Sequence, residues 1–388
     1  MKRSLQVEEM FQRTAGGALV CFGPQEEKAM IRKCASKVGA VLLLALGLQF
    51  AVAFADAIIG MVVFAGEDYA LSTHFMRTDM SLYVILTGVE YLIYMGVPVL
   101  VGWRMFRRHG VNVLPAAKTD GSLGVGLVLL GFGMMTAANF IGSLVLSFFS
   151  MFEVEAAELP AMQDGSVAAM WLNVLVIGVF PALLEELLFR GVVLQGLRPA
   201  GDRAALVFSA LMFGLMHGTL EQIPFAFVLG LVFGYIVIKT GNILWTMGLH
   251  AANNSLAVMM EYWLFDMSDE EANKFYFLFF AVETLLGVIG MAVLMMRRHP
   301  RVPPVGDRAS SWLTKKQRRR ALFRPGTVIA FIVIMALLTL GSTSLLSSDT
   351  FKELMGDAET SSTTSYESAT SPSEEHLTVA PLVREVFR

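Results

Sequence analysis

The sequence predicts an all-α fold, a polytopic transmembrane helical bundle of about eight to nine spans. Three observations carry that expectation. Of 388 residues, 55% are hydrophobic and only 16% charged, and mean hydropathy is positive. One soluble core cannot hide that much apolar surface, whereas several bilayer spans absorb it directly. The apolar residues fall in runs long enough for helices to cross a hydrocarbon core of about 30 Å. Between the runs the charges alternate in kind, with Lys and Arg gathered in every second loop, as the cytoplasmic excess of basic residues requires.

Taken in order, residues 1–37 read as a cytoplasmic N-terminal segment. The first apolar run, 38–65, outlasts a signal-peptide core and has no small-residue cleavage site, so it is expected to be a retained helix. The runs 81–106 and 121–150 complete a set of accessory helices within 38–160. Their loops are acidic (Glu67, Asp68, Asp79), then basic (Arg104, Arg107, Arg108, Lys118), then acidic again (Glu153, Glu155, Glu158, Asp164). A core over 161–298 follows, with runs at 168–196, 203–219, 222–238, 242–264 and 274–296. The link Gly218-Thr219-Leu220-Glu221 is so short that one member of the pair 203–238 can enter and return without crossing.

Arg198 and Arg203 fall on the basic side, and Asp266 to Glu271 on the acidic side. The loop 299–326 carries Lys315, Lys316, Arg318, Arg319, Arg320 and Arg324, a topology anchor that suits anionic headgroups. A final helix is expected at 327–347. The tail 348–388, rich in Ser, Thr and Glu, cannot bury enough surface to fold and is expected to be disordered and external. The whole reads as a multi-pass cell-membrane protein with its N-terminus cytoplasmic and its C-terminus external.

The net charge of -3 is small and nucleic acid is not expected as a partner, whereas the apolar runs make the lipid bilayer one. Two cysteines, Cys21 and Cys34, both precede the first run, so no disulfide framework is expected. There is no Gly-rich phosphate loop. Four of the six histidines (His74, His109, His299, His376) are placed in loops or tails, whereas His217 and His250 lie inside apolar runs. Ionisable groups at membrane depth are costly and by default mark function.

Those two histidines follow the run Glu185-Glu186-Leu187-Leu188-Phe189-Arg190. Neighbours on a helix point about 100° apart, while Glu186 and Arg190 at i and i+4 can meet. One glutamate is thus paired, and Glu185 is left over as a candidate general base with its carboxylate in a poorly solvated place. Pro181, one turn earlier, removes a helical hydrogen bond, a break tolerated where protein or a water-filled cavity lines it. Phe213 and His217 share the i, i+4 spacing, so the aromatic ring can hold the imidazole's orientation. His250 and Asn254 repeat it and can aim N–H donors at one developing oxyanion.

Each piece has a plain structural alternative. A lone intramembrane histidine or asparagine often joins helices, a Glu and Arg pair at i, i+4 often supports one, and Phe213 alone is core. Their ordered occurrence in consecutive runs favours chemistry. Asp56, Glu90, Asn139 and Glu283 lie in other runs without spacing partners and are expected at a cavity rim or in interhelical bonds; Glu261 lies near a helix end.

Glu185-Glu186 with Arg190, Phe213 with His217, and His250 with Asn254 resemble, in order and spacing, the three motifs of the type II CAAX prenyl protease and bacteriocin-processing group of intramembrane proteases. The resemblance covers roughly 168–260. It implies a membrane endopeptidase acting on a peptide or protein substrate, with a central catalytic cavity. It further implies that Glu185, helped by His217, activates water, that His250 and Asn254 hold the oxyanion, and that Glu186, Arg190 and Phe213 support them. Metal-free catalysis is favoured. Zinc held by Glu185, His217 and His250 is the alternative, although no His-Glu-x-x-His run is present. Two other classes compete: an ion-coupled transporter, which inverted repeats would betray and which are not visible here, and a non-catalytic immunity or scaffold protein.

Overall fold

A computed structural model describes residues 23–64, 70–108, 110–150, 167–220, 222–265, 267–297 and 312–346. The expected N-terminal segment ahead of residue 23, Cys21, the acidic stretch 153–164, Asp266, the loop 299–311 and the tail 348–388 lie outside them, as do His109, His299 and His376.

Among the described residues the chain's regular elements are all helices, with one isolated bridge between Ala116 and Asn242. Its helices are α1 (Pro24–Val63), α2 (Leu71–Thr78), α3 (Met80–Arg107), α4 (Gly121–Ser150), α5 (Val167–Ala200), α6 (Asp202–Met216), α7 (Gln222–Thr240), α8 (Leu244–Leu264), α9 (Asp269–Met296), α10 (Lys315–Phe323) and α11 (Gly326–Leu346). The protein is therefore an all-α, multi-spanning bundle. Among the described residues six helices (α1, α3, α4, α5, α7 and α9) are long and apolar enough to cross a membrane, and the count is seven if the bent pair α10 and α11 is taken as one span. Of the nine expected runs, 203–219 becomes the 15-residue α6. At 1.5 Å per residue that is about 22 Å, short of a bilayer core. The run 242–264 becomes α8, which carries His250, Asn253, Asn254 and Glu261 and is the more polar for it.

Two elements depart from expectation at the N-terminal side. α1 begins at Pro24 rather than near residue 38, because Ile31, Cys34, Ala35, Val38, Val41, Leu42 and Ala45 form one buried stripe at helical spacing. Its first turn is fixed by Glu27, which accepts the backbone N–H groups of Trp312 at 2.7 Å and Leu313 at 3.0 Å. His74 lies on the short α2 rather than in a loop, its ring stacked on Phe64 with centroids 3.6 Å apart. α2 is tied to α1 by Asp56, which accepts from the Ser72 N–H at 2.9 Å and its hydroxyl at 2.5 Å.

Packing follows the small and apolar positions. α9 lies along α4, α6 against α7, α8 across the first half of α5, and α11 along α1. Only 17% of the spanning window of α9 and 44% of that of α7 is buried inside the protein, so exposed Phe277, Leu285 and Met295 are left for lipid. At one end of the bundle the loop before α4 is pinned to the turn before α8. The Ile243 N–H donates to Pro115 O at 2.9 Å, the Ala117 N–H to Gly241 O at 3.0 Å, and Asn242 Nδ2 to Ala117 O at 3.1 Å.

Candidate functional site

The site is built on a helix that is not regular. α5 contains two π-helical stretches, Val174–Val179 and Glu186–Val193, on either side of the α-helical turn Phe180–Glu185 that holds Pro181. α3 has a third at Leu92–Gly96, beginning just after Tyr91. Such widened turns recur at functional sites because they re-aim side chains. Their altered ladder is supported from outside it: the Ser209 hydroxyl donates to Phe189 O at 2.9 Å, and Gln195 Nε2 donates to Arg190 O at 3.1 Å.

Glu185 and Glu186 leave α5 in different directions and close on His250 of α8 from two sides. His250 Nδ1 lies 3.2 Å from Glu186 Oε1, and His250 Nε2 lies 3.7 Å from Glu185 Oε2. A carboxylate only accepts, so the Nδ1 hydrogen belongs on the Glu186 side, and Nε2 faces Glu185 across a gap too long for a direct hydrogen bond. Arg190 Nη1 is 2.9 Å from the same Glu186 oxygen, the i, i+4 pair anticipated from spacing. The side chains of Glu186 and Arg190 are 0% and 1% exposed, against 13% for Glu185. The paired glutamate is thus sealed, and its neighbour is the more accessible of the two.

Glu185 is not the partnerless group that local spacing suggested. The Tyr91 hydroxyl, reaching in from α3, donates to Glu185 Oε1. Sequence reasoning missed this residue because the two positions are 94 apart and belong to separate helices. A tyrosine hydroxyl within the apolar run 81–106 was the available signal, and it had no spacing to distinguish it from an aromatic membrane residue.

Phe213 does more than support His217. Its ring meets that of His217 edge to face at 4.8 Å and that of His250 at 6.0 Å, and the Arg190 guanidinium sits over it 4.1 Å from the centroid. Phe233 of α7 flanks both Arg190 and His250 from another side, at 5.1 Å in each case. A buried guanidinium held against two aromatic faces and one carboxylate keeps favourable company for its charge. Phe213, on this geometry, is the hub that sets α6 against α5 and α8.

His217 caps the C-terminus of α6, where Gly218 at φ +79° lets the chain turn back into α7. Its Nδ1 is 2.9 Å from Phe213 O. Because a carbonyl only accepts, Nδ1 carries the hydrogen, and a neutral ring then presents an acceptor lone pair at Nε2. Asn254 stands one turn beyond His250 on α8, its Oδ1 accepting from Asn253 Nδ2 at 3.0 Å, which leaves its own amide as the donor end. The structure thus joins Glu185, Glu186, Arg190, Phe213 and His250 by direct contact; His217 enters through Phe213, and Asn254 through α8.

The remaining polar residues of the spans fall elsewhere. Glu283 of α9 accepts from the Thr136 hydroxyl of α4 at 2.7 Å, and Asp56 serves Ser72, so both make interhelical bonds. Asn139 is buried on α4, and both its polar side-chain atoms lack a hydrogen-bond partner among the described residues. Glu90 is half-buried on α3, and Glu261 half-buried on α8. Among the described residues no three His, Cys, Asp or Glu side chains are grouped as one metal ion needs.

Residues 167–256 match the family of type II CAAX prenyl endopeptidase Rce1-like proteins. This stretch is a CAAX-protease-family domain. It runs from the start of α5 to just beyond Asn254, and so contains every site residue expected from the motifs, whereas Tyr91 lies outside it. No curated protein and no solved structure matches the chain. A CAAX-protease-family domain in a multi-spanning membrane protein, with a buried His and Glu pair at its centre, is consistent with a hydrolase acting at the membrane.

Proposed function

We infer that this chain is an intramembrane endopeptidase that hydrolyses peptide bonds of membrane-associated or lipidated peptides, with its core within 161–298. The observation that carries the reading is the closure of Glu185 and Glu186 from α5 on His250 from α8 inside the CAAX-protease domain.

Glu185, the more accessible carboxylate, takes a proton from a water as that water attacks the scissile carbonyl, and returns it to the leaving amine as the tetrahedral intermediate collapses and the C–N bond breaks. The Tyr91 hydroxyl holds one Glu185 oxygen, so the other is the one free to receive the proton. His217, with Nδ1–H committed to Phe213 O, offers Nε2 as a second acceptor. The Asn254 amide and His250, the latter through an Nε2–H, share α8 and serve the oxyanion that forms. Glu186 and Arg190 fix His250. The bundle is read as a multi-pass membrane protein with its basic loops and N-terminus cytoplasmic.

The test is cleavage of a membrane-tethered peptide by the full chain in proteoliposomes. Glu185→Gln is expected to lower kcat by about 10²- to 10⁴-fold, the usual contribution of general base catalysis, with insertion and helix content unchanged. His217→Ala is expected to act in the same direction. Retained cleavage in Glu185→Gln removes this residue from the mechanism. A chelator is expected to leave cleavage intact; a loss that zinc alone restores would reassign the reaction to a metallopeptidase.

A further inference from the structure

At the basic end of the molecule α6 and α10 meet around an open cavity of about 300 Å³. One wall is a single ridge of α6, Arg203, Val207 and Leu211, spaced i, i+4, i+8. The facing wall is α10, with Lys315, Arg318 and Arg319 followed by Leu322 and Phe323. Phe208 closes the floor against Phe323, ring centroids 5.0 Å apart. Cations come first and apolar side chains second along both helices, and among the described residues no carboxylate lines the cavity. Val207 and Phe323 are exposed, as are Arg203, Lys315 and Arg319.

The placement sets the depth. α10 leaves the axis of α11 at 69°. With α11 crossing the bilayer, α10 lies close to the plane of its surface, where headgroups sit and Lys and Arg meet anionic lipid. A cationic rim alone suits any anion. A rim that continues into exposed apolar side chains on both walls suits an anion tethered to hydrocarbon.

We propose that this cavity binds an anionic phospholipid from the leaflet facing the basic end, its phosphate held by Arg203, Lys315 and Arg319 and its acyl chain laid over Val207, Leu211 and Phe323. The site is separate from the Glu185 and His250 cluster and does not depend on the reaction assigned to it.

The experiment measures phosphatidylglycerol retained by the purified full chain in phosphatidylcholine nanodiscs, with melting temperature as the check on folding. The parent is expected to retain phosphatidylglycerol in preference to phosphatidylcholine. Combining Arg203→Gln, Lys315→Gln and Arg319→Gln is expected to weaken retention by roughly tenfold or more. Lys316→Gln with Arg320→Gln removes charge from positions of α10 outside the cavity and is expected to leave retention nearly unchanged. Val207→Trp fills the cavity with its cations intact and is expected to lower retention. The proposal is overturned by equal losses in the two charge sets, by full retention in Val207→Trp, or by glycerol phosphate competing as well as the lipid.

Discussion

Tyr91 shows what a single residue from outside the matched domain adds to it. Its hydroxyl fixes one oxygen of Glu185, and a hydrogen bond to a charged group contributes more than one between neutral partners. Tyr91→Phe is expected to lower kcat by about tenfold with KM little changed, since the phenol contacts the carboxylate rather than the peptide. Arg190 presents the opposite case. Fully enclosed beside Glu186, Phe213 and Phe233, it has no water to replace a lost partner. Arg190→Met leaves the Glu186 charge buried without its counter-ion, and a loss of about 3 kcal/mol is expected, read as a lower melting temperature in detergent. At this scale the sequence was informative where partners share a helix. Glu186 with Arg190 and Phe213 with His217 follow from i, i+4 geometry alone. The Tyr91 and His250 contacts to Glu185 do not, because only tertiary packing brings three helices to one carboxylate.

Among the elements, long apolar helices were legible because the cost of exposing backbone in lipid leaves little choice of secondary structure. Their irregularities were not. Pro181 signalled a break, and the structure resolves it into two π stretches flanking one α turn, a result that hydropathy and spacing do not encode. The short reach of α6 has a clearer origin: Gly218 stops the helix, and its positive φ is one that other residues adopt only with strain. Helix pairing also depends on residues a hydropathy profile ignores. α4 and α9 approach so closely that a Cβ on Gly287 would stand 2.7 Å from the Gly133 Cα. Backbone cannot yield as a side chain can, so Gly287→Ala is expected to cost about 1 to 3 kcal/mol, measured by thermal unfolding. The same substitution at Gly248, where an added Cβ meets nothing within 4 Å, is expected to be tolerated.

For the molecule as a whole, the ends of distant helices are joined on the basic side by one exposed cluster. Asp120, just before α4, accepts from the Ser122 hydroxyl at 2.8 Å and its N–H at 2.9 Å, and from Arg297 Nη2 at 2.7 Å. The Ser122 hydrogen bonds, then the Arg297 charge, hold its carboxyl below the ordinary carboxylate range. A depressed folded-state value means the contribution is present above the unfolded value of about 4 and is lost as pH falls through the folded one. Asp120→Asn is therefore expected to lower the melting temperature slightly at pH 7, and the difference from the parent is expected to vanish in acid.

A π turn accommodates one residue more than an α turn. The stretch Glu186–Val193 therefore holds a reading frame as well as a shape. Excising a single residue there, such as Leu187, removes the extra residue of a wide turn, lets an ordinary ladder re-form, and changes the Glu186 and Arg190 spacing from i, i+4 to i, i+3. The flanking turns would keep their faces, while the side chains within the stretch, Glu186 and Arg190 among them, would be re-aimed with every functional residue still in the chain. The domain's chemistry is in this sense written in the count of residues between its glutamates and its arginine, as well as in their identity.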